Sequence, residues 1–146
     1  MHSANIYNIS VMCNYPIYVW HIFSLHTITM LQILIYTYSY RTAALLQGIL
    51  EAIKAEIDIT TNATTMMRLC ESKPYDYIIS DDLDYFVTQK DIARTLRRGN
   101  TRQPRIYIIG NDNEALRACM LLANGIDQYI SQPILPSRLL SKVEAL

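Results

Sequence analysis

The sequence predicts an α/β fold: a doubly wound (βα)5 sandwich in which a five-stranded, mostly parallel sheet is covered by helices on both faces. Three observations predict it. Five short apolar runs alternate with five stretches that place apolar residues at helical spacing, the pattern of consecutive βα units. The strand candidates are nearly continuous apolar runs, as suits strands buried on both faces. A length of 146 residues, 51% of them hydrophobic, gives one domain a core that needs no disulfide or metal to hold it.

The first strand is LQILIY (31–36), and the helix after it is TAALLQGILEAIK (42–54), with Leu45, Leu46, Ile49, Leu50 and Ile53 on one stripe and Gly48 as a weak point. EIDIT (56–60) alternates as a strand, and TTMMRLCES (64–72) follows as a helix with Met66, Met67 and Leu69 inward. YDYIIS (75–80) is the third strand. The segment 88–98 is a weaker helix anchored by Ile92 and Leu96, with Gly99 placed to end it. RIYIIG (105–110) is the most strand-like segment. NEALRACMLLANG (113–125) is a helix with Leu116, Met120 and Leu121 inward, stopped by Gly125. IDQYI (126–130) is the last strand, and Pro136 opens a last helix, 136–146, where its missing N–H costs nothing. Ile33, Ile35, Ile78, Ile108 and Ile130 are the expected central core.

Charge and cysteine content narrow the function. Thirteen Lys and Arg balance thirteen Asp and Glu, so the basic footprint of direct nucleic-acid binding is missing. Cys13, Cys70 and Cys119 lie far apart, which fits reduced thiols in a cytoplasmic protein and neither a disulfide framework nor a zinc site. Residues 1–30 contain no Asp, Glu, Lys or Arg, yet hold His2, His21, His26 and Trp20. The basic start of a signal peptide is absent, and polar residues interrupt every apolar run before it reaches membrane-spanning length. Residues 1–29 are therefore expected to be a peripheral, non-catalytic extension, such as a read-through ahead of Met30, and residues 30–146 the domain.

In a parallel sheet of this kind function sits beyond the carboxyl ends of the strands. Those ends carry Thr37, Tyr38 and Ser39; Asp81, Asp82, Leu83 and Asp84; Gly110, Asn111 and Asp112; and Ser131, Gln132 and Pro133. No Gly-rich phosphate cradle is present, and every histidine precedes the first strand, which removes the usual nucleophile–histidine pairs. Asp82 and Asp84 fit a solvated acidic turn as well as a cation site. Asp81, directly after a buried strand, is aimed at the sheet edge.

These residues resemble the receiver (CheY-like) domain of two-component response regulators. YDYIISD (75–81) is similar to the strand that ends in the family's phospho-accepting aspartate, which falls on Asp81. QPRIYIIG (103–110) is similar to the fourth strand, and ANGIDQYISQPI (123–134) to the signature aGadDYlsKPi. LPSRLLSKVEAL (135–146) is similar to the last helix. The resemblance implies a flavodoxin-like sheet in the order 2-1-3-4-5, a cis bond between Gln132 and Pro133, an aromatic switch position at Tyr129, and a non-enzymatic signalling role.

The same comparison exposes departures. The two acids that hold Mg²⁺ after the first strand are Thr37 and Tyr38 here, or Tyr36 and Thr37 if the register slips by one. The hydroxyl after the fourth strand is Gly110, and the lysine before the proline is Gln132. Phosphoryl transfer relies on metal and ammonium to neutralise oxygens, and each preorganised donor removed costs about 2.7–4 kcal/mol. The leading expectation is an atypical, phosphorylation-independent receiver without a cofactor, with Tyr38 filling the space of the missing metal. It would act through a protein partner or dimerisation, on the face of the fourth helix, fifth strand and fifth helix, where Arg117, Leu121, Leu122, Arg138, Leu139 and Lys142 stand. One alternative is a working phospho-acceptor at Asp81, with Mg²⁺ held by Asp82, Asp84 or Asp112. Another is a small-ligand-binding pseudo-receiver.

Overall fold

Strand β1 (Leu31–Tyr36) needs both faces of its apolar run covered, and the fold covers them with separate layers. A computed structural model describes residues 30–81, 92–97, 103–111 and 113–143. After β1 come α1 (Tyr40–Leu50), β2 (Ala55–Thr60), α2 (Ala63–Ser72), β3 (Tyr77–Asp81), α3 (Ile92–Arg97), β4 (Arg105–Asn111), α4 (Ala115–Ala123), β5 (Gln128–Gln132) and α5 (Pro136–Val143). All four strand pairings are parallel, in the order β2-β1-β3-β4-β5.

Because side chains alternate along a strand, β1 feeds two cores. Leu34 and Tyr36 join Met66, Cys70, Ile78, Leu96, Ile106, Ile108 and Leu121 beneath α2, α3 and α4. Ile33 and Ile35 join Leu46, Tyr77, Ile79, Tyr107, Ile109, Ile130, Leu139 and Val143 beneath α1 and α5. The five isoleucines expected at the centre are all buried. Gly125 takes the left-handed conformation, φ 103°, that a helix stop requires, and the Gln132–Pro133 bond is cis.

The differences from the sequence reading have local causes. Strand β5 begins two residues later than expected, because Asp127 is used to cap its neighbour: Asp127 N–H donates to the Ile106 carbonyl at 2.8 Å, and the Asp127 carboxylate accepts from Ile106 N–H at 2.8 Å. Helix α1 starts at Tyr40, one residue after its cap Ser39, and turns Leu45 outward. In α4, Leu121 faces the core with Arg117 and Ala118 on its side of the helix, so Leu116 (76% exposed) and Met120 point to solvent instead of inward. Leu96 is buried as expected; the side chain of Ile92, together with Gly99, lies outside the described residues.

Candidate functional site

The parallel register brings the ends of β1, β3, β4 and β5 to one edge. Asp81 ends β3 opposite Ile109, and Gly110 and Asn111 of β4 lie opposite Ser131 and Gln132 of β5. A cavity of about 450 Å³ opens there, lined by Asp81, Ile109, Gly110, Asn111, Glu114, Arg117 and Gln132. Asp81, Gly110 and Gln132 were all expected at this edge and meet in it. Glu114 and Arg117 come from the start of α4; sequence reading had no sign of Glu114, and it had set Arg117 on the partner surface.

The β1 side of the site is built differently from the expectation. Tyr38 does not fill the cavity. Its side chain is 55% exposed and meets the Tyr36 ring edge-on at 5.4 Å, while its backbone N–H donates to Asp81 Oδ2 at 2.6 Å. Thr37 is wholly buried, and its hydroxyl accepts from the Ser39 N–H at 3.1 Å. Ser39 in turn caps α1 by accepting from Thr42 N–H at 3.1 Å. The loop from β1 thus presents Asp81 with a backbone donor rather than with carboxylates. Among the described residues, no three His, Cys, Asp or Glu side chains group as metal ligands. Asp82, Asp84 and Asp112 lie outside the described residues.

Tyr129 sits beside Ile108 in β5 and is partly buried against the core under α2, α3 and α4. Its ring lies over Gly110: a Cβ at that position would overlap the Tyr129 hydroxyl and Cζ and come within 2.9 Å of Cε1. The hydroxyl donates to Glu114 Oε2 at 3.2 Å. On the outer side Tyr129 also lines a smaller pocket of about 150 Å³ with Pro133, Ile134, Arg138 and Lys142. Of the six residues expected on the partner face, Leu121 and Leu139 are buried and belong to the core, a correction that follows from their place on the inner stripes of α4 and α5. Leu122 and Arg138 are exposed, and Lys142 donates from Nζ to Gln128 Oε1 at 2.9 Å.

No protein-family model and no curated protein matches the sequence. Solved structures do match the fold. The receiver domain of a sensor histidine kinase from Pseudomonas aeruginosa, solved with magnesium in its active-site cleft, is 17% identical with a TM-score of 0.64, over 77% of this chain and 93% of that one. A two-component response regulator from Clostridium difficile is 24% identical with a TM-score of 0.66, over 77% and 92%. The receiver domain of Ssk1 from Saccharomyces cerevisiae, solved with the histidine phosphotransfer protein Ypd1, is 16% identical with a TM-score of 0.65, over 79% and 87%. The match runs through all but a small part of each of those chains: the chain has the receiver-domain fold of two-component response regulators.

Proposed function

We propose that this chain is an atypical receiver module in signal transduction, which works by binding a protein partner or a second copy of itself and not by phosphoryl chemistry at Asp81. The observation that carries the reading is the setting of Asp81. One carboxylate oxygen already accepts a 2.6 Å bond from the Tyr38 backbone, and the cavity residue in the lysine position is the uncharged amide of Gln132. A phosphoryl donor brought to that carboxylate meets negative charge from Asp81 and Glu114, with Arg117 as the cation among the lining residues. Electrostatic stabilisation of the transferred group is the main contribution a protein makes to this reaction.

The partner surface of this reading is the face of α4, β5 and α5. It keeps Leu122, Arg138 and Lys142 from the sequence expectation and gains Leu116 and Met120, which α4 turns outward. Exposed apolar residues beside cations suit a protein partner with a mixed apolar and acidic surface. No helix among the described residues is long and apolar enough to cross a membrane.

The test is phosphorylation in vitro. The protein incubated with Mg²⁺ and acetyl phosphate is expected to keep its mass, and Asp81→Asn is expected to leave partner binding or dimerisation unchanged. A Mg²⁺-dependent gain of about 80 Da, the mass of one phosphoryl group, that is lost in Asp81→Asn would establish the phospho-acceptor alternative instead. The small-ligand alternative has the cavity itself in its favour, since about 450 Å³ is within the size range of ligand sites.

A further inference from the structure

Tyr129 meets the wall of the Asp81 cavity from a strand of the partner face. Gly110 and Glu114 line the cavity, the Tyr129 ring lies over Gly110 and its hydroxyl bonds Glu114, and residue 129 also lines the outer pocket with Arg138 and Lys142. We propose that Tyr129 is a permanent latch between β5 and the first turn of α4, that the lack of a side chain at Gly110 is what admits it, and that it holds the partner face in one arrangement whatever the chemical state of Asp81.

Two independent observations carry the latch. The first is steric: Ile106, Ile108 and Gly110 point to the same face of β4, the two isoleucines are buried in the core, and the third position is filled by the Tyr129 ring instead of by a side chain of its own. Any Cβ at residue 110 would occupy space that the Tyr129 hydroxyl holds, so ring and side chain exclude each other. Close-packed interiors do not absorb such an overlap by small adjustments; one group must leave. The second is polar: Glu114 stands at the N-cap of α4, where Ser, Thr, Asp or Asn would bond the helix's free N–H groups, yet its side chain makes no cap bond and accepts from Tyr129 instead. Gly110 also shows no positive φ, so its lack of a side chain is not required by the backbone there.

The latch rests on the interaction reading above for its purpose, while its existence can be tested separately. Tyrosine-selective ¹³C labelling of the full chain, with the Tyr129 ring signals assigned through Tyr129→Phe, reports on the ring directly. Gly110→Ala is expected to move those signals toward the values of free tyrosine, and Mg²⁺ with acetyl phosphate to leave the wild-type signals in place. Wild-type signals already at free-tyrosine values, or signals unmoved by Gly110→Ala, would overturn the latch. Intact mass is read on the same samples. A gain of phosphoryl mass with unmoved Tyr129 signals refutes the inactive-site reading and upholds the latch; signals that move on adding acetyl phosphate overturn the latch, with or without the mass gain. If Gly110→Ala fails to fold, the substitution is repeated in a Tyr129→Ala background. Recovery of folding there supports mutual exclusion of the two side chains, and continued failure overturns it.

Discussion

Asp76 and Asp127 show how single residues set the register on which the site depends. Each stands immediately before its strand, β3 or β5, and each exchanges a pair of bonds with a neighbouring strand. Asp76 accepts from Gln32 N–H at 2.9 Å and returns its own N–H to the Gln32 carbonyl at 2.8 Å, and Asp127 does the same with Ile106. Backbone groups at the opening of β1 and β4 are thereby satisfied before the parallel ladder begins. At the centre of β2, Asp58 works through its charge. Burial pushes its carboxyl up, but bonds from Lys73 Nζ and the Tyr75 hydroxyl, both 2.6 Å, more than offset this and hold it below its ordinary value of 3.8. At two nearby residues burial prevails, raising the Cys70 thiol from 9.0 to about 12 and raising the Tyr75 phenol above its ordinary 10.0. The signs predict a stability plateau with two edges. The depressed Asp58 contributes above pH 3.8 and is lost as pH falls through its folded value; Cys70 contributes fully below pH 9.0 and is lost as pH rises toward about 12. Urea midpoints measured across pH should therefore fall at both edges, and Cys70→Val should flatten the alkaline one. An alkaline edge unchanged in that variant would show that the buried thiol is not its source.

Among the elements, α1 offers the simplest test because its weak point faces solvent. Gly48 is exposed in the middle of the helix, and a Cβ there would meet nothing within 4 Å. Gly48→Ala is expected to stabilise the domain by about 0.5–1 kcal/mol through the entropy of the unfolded chain. A melting temperature that stays the same or falls would mean that the glycine answers to a contact outside the described residues. Helix α3 is short, six residues, and Arg97 at its end donates to the Pro104 carbonyl at 3.3 Å, the Gly125 carbonyl at 3.0 Å and Asp127 at 2.9 Å. The strands were legible in the sequence because continuous apolar runs are specific to a doubly covered sheet, and β1 was read to the residue. Helix faces were less legible. In α4 the apolar residues Leu116, Met120, Leu121 and Leu122 surround the axis, so composition could not say which of them turns inward. The fold answers that question through Leu121, which packs under Ile126 and the β4 isoleucines. Site legibility divides in the same way. Asp81, Gly110 and Gln132 were found because each lies at a fixed offset from a strand end. Glu114 was not, nor was the contact of Tyr129 with residue 110, since an absent side chain becomes informative only when the ring occupying its space is seen.

At the scale of the molecule, the described residues from 31 onward supply two cores, one on each face of the sheet. Leu31 begins β1 already paired with Ala55, and its N–H donates to the Lys54 carbonyl at 3.1 Å, so β1 is paired from its first residue. Met30, just ahead of it, is 45% exposed. Among the described residues, those buried beneath α2, α3 and α4, and again beneath α1 and α5, together cover both faces of β1, β3 and β4. Two cores built by the five βα units lead us to propose that residues 1–29 lie outside the folding unit. Cooperative unfolding follows from how completely such a core closes, more than from chain length. Deleting residues 1–29 is therefore expected to move the melting temperature by no more than about 4 °C, equivalent to roughly 1 kcal/mol for a domain of this size, while the unfolding transition stays sharp. The same truncated chain should keep the Tyr129 ring signals of the full chain, because Gly110 and Glu114 are both retained. A broad transition, or one lowered by tens of degrees, would show instead that the uncharged segment with Trp20 belongs to the folded core and that the domain begins before residue 30.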